Sequence, residues 1–142
     1  MDELLILNLF SSFALCGLIW TIQLVHYPIF NYINAEHFGG AMGFHQQRIS
    51  YIVIPLMAGE LVTSATLVYI SDTLFTLHLA GLAAVVLIWL ITLLLMVPLH
   101  KQLTKGYSPQ KVRIVIRANW VRTVLWTLKS LFGIALLFTA LR

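Results

Sequence analysis

Three histidines, His26, His45 and His100, and three groups able to stabilise negative charge, Arg48, Asn119 and Arg122, stand out in a chain with few polar side chains. A neutral imidazole takes up or releases a proton near pH 7 and is the commonest transition-metal ligand. Guanidinium and carboxamide groups stabilise an oxyanion that forms when a bound molecule loses its proton. No HxxxH or HxxE pair falls on one stretch, so a metal or haem site would have to draw His26, His45 and His100 from separate elements. Glu60 and Lys129 form a second pair of interest, each flanked by long apolar runs.

The elements that must carry these residues follow from composition. The chain has 142 residues, of which 60% are hydrophobic and only 10% charged, and a mean hydropathy of +0.91. Such values lie far outside the range of soluble domains. A membrane-spanning helix needs roughly 20 apolar residues, and four stretches meet that length: about 4–27, 49–70, 74–97 and 114–141. The expected fold is all-α, a single transmembrane domain over residues 1–142, built as an antiparallel four-helix bundle of up-down-up-down connectivity. The first stretch begins with Asp2 and Glu3 and lacks a basic leader, so it reads as a retained helix. Cys16 has no cysteine partner and reads as a small buried residue.

Lys101, Lys105, Lys111, Arg113 and Arg117 crowd the connection between the third and fourth stretches, while the turn Ile70–Thr73 has no basic residue. Basic loops of this kind orient membrane proteins and meet anionic headgroups. They place the two longer loops in the cytoplasm and both termini outside it, a reading that Arg142 tempers, and they speak against a nucleic-acid partner. The stretch from Pro28 to Gln47 reads as a loop of about twenty residues, with Gly39, Gly40 and Gly43 for unusual backbone angles and Phe38, Met42 and Phe44 touching the membrane surface or capping the bundle. Pro55 is expected to kink the second helix.

With this connectivity the polar residues acquire common depths. His26 closes the first helix, His45 and Arg48 precede or begin the second, His100 closes the third, and Asn119 and Arg122 begin the fourth, all at one end. At 100° per residue, Asn119, Arg122, Trp126 and Lys129 share one face of the fourth helix, Asn8, Ser12, Cys16, Gln23 and His26 one face of the first, and His78, Trp89, Met96 and His100 a stripe of the third. Hydrocarbon offers polar groups no partner, so these faces should turn inward. Glu60 and Lys129 fall roughly 16 to 18 Å from the same surface and are expected to meet as an ion pair or through a water. Tyr27 suits the membrane interface, His37 an exposed loop, and His78 lies apart at the opposite end.

The segments "VHYPIF", "FHQQRIS", "VIPLMAGE", "TLLLMVPLHKQL" and "NWVRTVLWTL" occur in the order found in small four-helix membrane proteins, and over most of its length the chain resembles the anthrone-oxygenase-like family. The resemblance implies a membrane oxidoreductase that inserts oxygen into an electron-rich aromatic carbon acid without a classical cofactor. The family commonly has asparagine at the position of His100, so substrate or cofactor use is expected to differ here.

Three readings follow. In the first, a lipophilic phenol or quinol-like molecule enters the cytoplasmic end from the bilayer, His26 or His45 takes its proton, and Arg48, Arg122 and Asn119 stabilise the oxyanion against a wall of Trp126, Met96 and Trp89. His100, Trp126, Glu60 and Lys129 are the candidates for binding a cofactor. In the second, His26, His45 and His100 hold haem or a transition metal. In the third, the chain is a non-enzymatic membrane subunit, in a homo-oligomer or a larger complex, whose polar faces only join helices.

Overall fold

Four long helices make up the computed structural model, which describes residues 2–140. The end of the expected fourth helix at Leu141 and the charge of Arg142 lie outside the described residues. Each helix is long and apolar enough to cross a membrane. The first and the third each pack against both the second and the fourth.

The helices extend beyond the apolar stretches that mark them. The second runs without interruption from Ala35 to Ile70, so most of the expected Pro28–Gln47 loop is helical. The linker before it shrinks to Ile33 and Asn34. Gly39 serves a close approach: a Cβ there would lie 2.6 Å from the carbonyl oxygen of Thr104, whereas one on Gly40 or Gly43 would meet nothing within 4 Å, so only glycine at position 39 lets the second helix touch the turn after the third. Phe38 and Met42 are fully buried, at 0% and 1% exposure. They join Tyr27, Phe30, Met96, Leu103, Val112 and Val115 in an apolar cluster that closes this end of the molecule. Arg48 and His45 therefore lie well inside the second helix rather than at its start, and Asn119 and Arg122 well inside a fourth helix that begins at Pro109.

Pro28 and Pro98 lie inside continuing helical turns rather than at helix ends. The first helix does not stop at Pro28: Asp2–Thr21 is followed by a π-turn, Ile22–His26, then Tyr27–Ile29 and a 3-10 turn, Phe30–Tyr32. The third repeats the device, with Phe75–Ile91, a π-turn at Thr92–Met96, and Val97–Leu103 after it. In both, the residue before the proline bonds five residues back, Tyr27 N–H to the Ile22 carbonyl and Val97 N–H to that of Thr92. Proline has no N–H and its ring crowds the carbonyl four residues back, and the wider turn just ahead of it gives that ring room without ending the helix. Pro55, in contrast, lies inside the unbroken second helix.

The outer surface is greasy. Phe10, Val62, Leu94 and Leu131 are all more than half exposed, and the polar side chains of the helix faces turn inward, as Asn8, Ser12, Gln23, Asn119, Arg122 and Lys129 are all buried.

Candidate functional site

Two polar centres lie inside the molecule, joined by Trp126. The first borders a cavity of about 250 Å³. Its walls are mostly apolar, from Ile22, Met57, Trp89, Met96 and Trp126 among others, and its polar groups are few: Tyr27, His45, His100 and Arg122, with Gln46, Ser50 and Thr92. Ile54, Leu93 and Val97 also line it and are themselves exposed on the outer surface, so the cavity reaches the apolar exterior between the second and third helices.

Arg122 is 6% exposed and its guanidinium has no carboxylate within reach among the described residues. Its Nη1 donates to Asn119 Oδ1 at 3.1 Å, and Asn119 Nδ2 in turn donates to Gln23 Oε1 at 2.8 Å. Its Nε is buried without a partner, and its carbon centre lies 5.0 Å over the Trp126 ring. A buried cation held only by neutral groups and an aromatic face is costly unless an anion completes it.

The imidazoles form a stack beside it. His26 and His45 lie 4.1 Å apart at 26°, and His45 and His100 6.0 Å apart at 28°. His100 Nδ1 sits 2.6 Å from the Met96 carbonyl, so that nitrogen bears the hydrogen and donates. Its Nε2 is left to accept from the Tyr27 hydroxyl at 3.2 Å. Parallel rings present faces to one another, whereas metal ligation needs in-plane lone pairs aimed at one point. Among the described residues no group of three or more histidine, cysteine or acidic side chains is placed to hold a metal ion. The expected triad of His26, His45 and His100 does meet, but as a stack rather than as a ligand set.

Of the residues expected here, His45, His100, Asn119, Arg122 and Trp126 come together. His26 is half-buried behind His45 with its Nε2 unpartnered, and it does not line the cavity. Arg48 is not part of the site: it is exposed, with its guanidinium 5.3 Å over the Phe44 ring. Tyr27, expected at the interface, is fully buried in the site. The π-turn explains both first-helix results. A turn closed five residues back falls behind the 100° phase of an α-helix, which carries His26 outward and Tyr27 inward. The YP dipeptide after His26 was the available signal, and it indicated a helix end more directly than a shift in phase.

Glu60 and Lys129 form the second centre and are paired as expected, Lys129 Nζ to Glu60 Oε1 at 3.1 Å. They do not line the large cavity, and their bonding is spent on each other and on neighbours. Lys129 also donates to Asn8 Oδ1 at 3.1 Å and Ser12 Oγ at 2.6 Å. Ser12 donates to Glu60 Oε1 at 2.7 Å, and Trp126 Nε1 to Glu60 Oε2 at 3.0 Å. Asn8 Nδ2 reaches Thr63 and Ser64 at 2.7 and 2.8 Å. All three ammonium hydrogens have acceptors, which lets two charges persist at 7% and 1% exposure.

Comparison with known protein families, curated proteins and solved structures finds no match to this chain.

Proposed function

We propose that the protein is an integral membrane oxidoreductase, oxygenase-like, acting on a lipophilic hydroxylated aromatic or quinol-like molecule in the cavity beside Arg122. The bundle is read as antiparallel and up-down-up-down, because contacts climbing the first helix descend the fourth: Asn8 meets Lys129, and Gln23 meets Asn119. The basic connection between the third and fourth helices faces the cytoplasm, with both termini on the other side.

The observation that carries the reading is the buried guanidinium of Arg122, without a counter-ion among the described residues, on the wall of an apolar cavity. Such a wall favours a molecule that is greasy when it arrives and anionic when it reacts. Its mouth between Ile54, Leu93 and Val97 gives access from lipid. His45, on the wall and without a hydrogen bond among the described residues, takes the substrate proton. Arg122, aligned by Asn119 and Gln23, stabilises the charge left behind. Tyr27 and His100 hold a second polar edge, and Trp126, Trp89 and Met96 flank the ring. The electron-rich carbanion or phenolate then reacts with dioxygen. For a ring CH2 group the balance is CH2 + O2 → C=O + H2O, one oxygen atom entering the product and the other leaving as water.

The test is oxygen consumption by protein reconstituted in lipid nanodiscs, with lipophilic phenols and ring-activated carbon acids as substrates. Arg122→Met should lower the rate by about 10²–10³-fold, the range for loss of an oxyanion donor, and His45→Phe by a comparable factor. Turnover unaltered in both variants, each shown to be folded, would remove this reading. The network around Glu60 also joins the helices, as it would in a non-enzymatic subunit, since bonds between membrane helices contribute about 1 kcal/mol each.

A further inference from the structure

Below the large cavity a second, much smaller one of about 20 Å³ lies against the Glu60–Lys129 network, lined by Asn8, Ser64, His78, Gly81, Lys129 and several apolar side chains. A space of this measure admits one water molecule, which is retained when it finds two to four polar partners. This one offers them. Ser64 accepts from Asn8 at 2.8 Å, leaving its own hydroxyl hydrogen free to donate, and the His78 imidazole is buried at 5% exposure with no protein hydrogen bond among the described residues.

His78 lies three residues after Phe75, the start of the third helix, and so roughly 5 Å from that end. Glu60 lies ten residues before Ile70, the end of the second helix, and so roughly 15 Å in. The cavity sits between them. The carboxylate itself is held by Ser12 from the first helix and by Trp126 and Lys129 from the fourth, while Asn8, Ser64 and His78 share the small cavity with Lys129.

We propose that Glu60 and Lys129 form a proton-exchange site in the middle of the membrane, connected to the Ser71–Leu74 end of the molecule by His78 and one water bound in the small cavity. The proposal needs the bundle to cross a membrane but does not depend on the oxygenase-like reading. The step is a simple transfer. Lys129 gives a proton across its 3.1 Å contact to Glu60 Oε1, turning the ion pair into a neutral amine and carboxylic acid, and the amine is recharged by a proton passed from His78 through the water. One proton is taken up and the net charge of the pair rises by one. Glu60 also accepts from Trp126, whose ring carries Arg122, so its protonation loosens the plate between the two centres.

Ser64 gives a test that leaves the third helix untouched. It lines the cavity, and Ser64→Val both removes the hydroxyl that partners the water and puts methyl groups in its space. Protein in proteoliposomes of defined orientation is given a pH jump on one side, and the infrared carboxyl band of Glu60, assigned by its loss in Glu60→Gln or its shift in Glu60→Asp, is followed in time. The band should respond to acid on the side of the Ser71–Leu74 turn. The response should slow by about tenfold or more, equivalent to ~1.4 kcal/mol in barrier, in Ser64→Val and in His78→Leu, and keep its rate in Gly17→Ala, where the added carbon meets nothing within 4 Å. If His78→Leu does not fold, Ser64→Val decides alone. A band that does not respond, equal rates in wild type and Ser64→Val, or a response only to acid on the opposite side would each overturn the proposal.

Discussion

The two centres use similar residues to opposite ends. Around Glu60 the carboxylate, ammonium, amide and hydroxyls answer one another, and Ser130 Oγ is the nearby exception with no partner. Around Arg122 the bonding stays open: its Nε, the His26 Nε2 and the Trp89 Nε1 are buried without partners among the described residues, and a cavity more than ten times larger adjoins Arg122 and Trp89. Buried polar groups in native proteins are nearly always satisfied. A closed set of bonds in an apolar medium therefore marks a joint between helices, and an open set beside a void marks a place that something else completes.

That contrast can be broken most forcefully at the joint. Lys129→Met alone should destabilise the protein by about 3–5 kcal/mol, because it strands the Glu60 carboxylate without its partner. The double variant Glu60→Leu with Lys129→Met should recover most of that loss. Denaturant unfolding in detergent measures both, and a double variant as unstable as the single one would show that the ion pair is more than a joint. At the open centre the order reverses. Arg122→Met should leave stability nearly unchanged or raise it, since it removes an uncompensated buried charge, while turnover falls by about 10²–10³-fold.

A smaller effect sharpens the comparison at the site's roof. Gly39→Ala forces the second helix off the Thr104 carbonyl, which should cost about 1–3 kcal/mol in unfolding, the usual range for overpacking, and disturb His45 one and a half turns further on. The smallest effect belongs to Arg48→Ala. An exposed side chain resting on Phe44 should leave stability within about 0.5 kcal/mol and turnover unaltered. A large loss of turnover on Arg48→Ala would return that residue to the site.

Much of this was legible in the chain. Four apolar runs specify four helices, and Asn8, Ser12, Asn119, Arg122, Trp126 and Lys129 recur at the helical period on faces that are indeed buried. Glu60 and Lys129 were legible as a pair because two charges in apolar surroundings have few ways to be satisfied except by each other. Tyr27 was not legible because a π-turn shifts the phase of the first helix ahead of it, and Arg48 because the second helix starts earlier than its apolar stretch. The polar, glycine-rich run from Ala35 to Arg48 carries no apolar signal of a span, yet packing of Phe38 and Met42 makes it helix.

What the sequence by itself determined is local: which segments are helical and apolar, and which face of each is polar, since every residue states its own cost of transfer to apolar surroundings. What only the tertiary structure decided is relational. The π-turns before Pro28 and Pro98 set the phase of everything after them, the contact of Gly39 with Thr104 fixes how close two helices come, and the cavity beside Arg122 exists only where four helices fail to fill the space between them. Those quantities belong to pairs of elements, and no single stretch of chain encodes them.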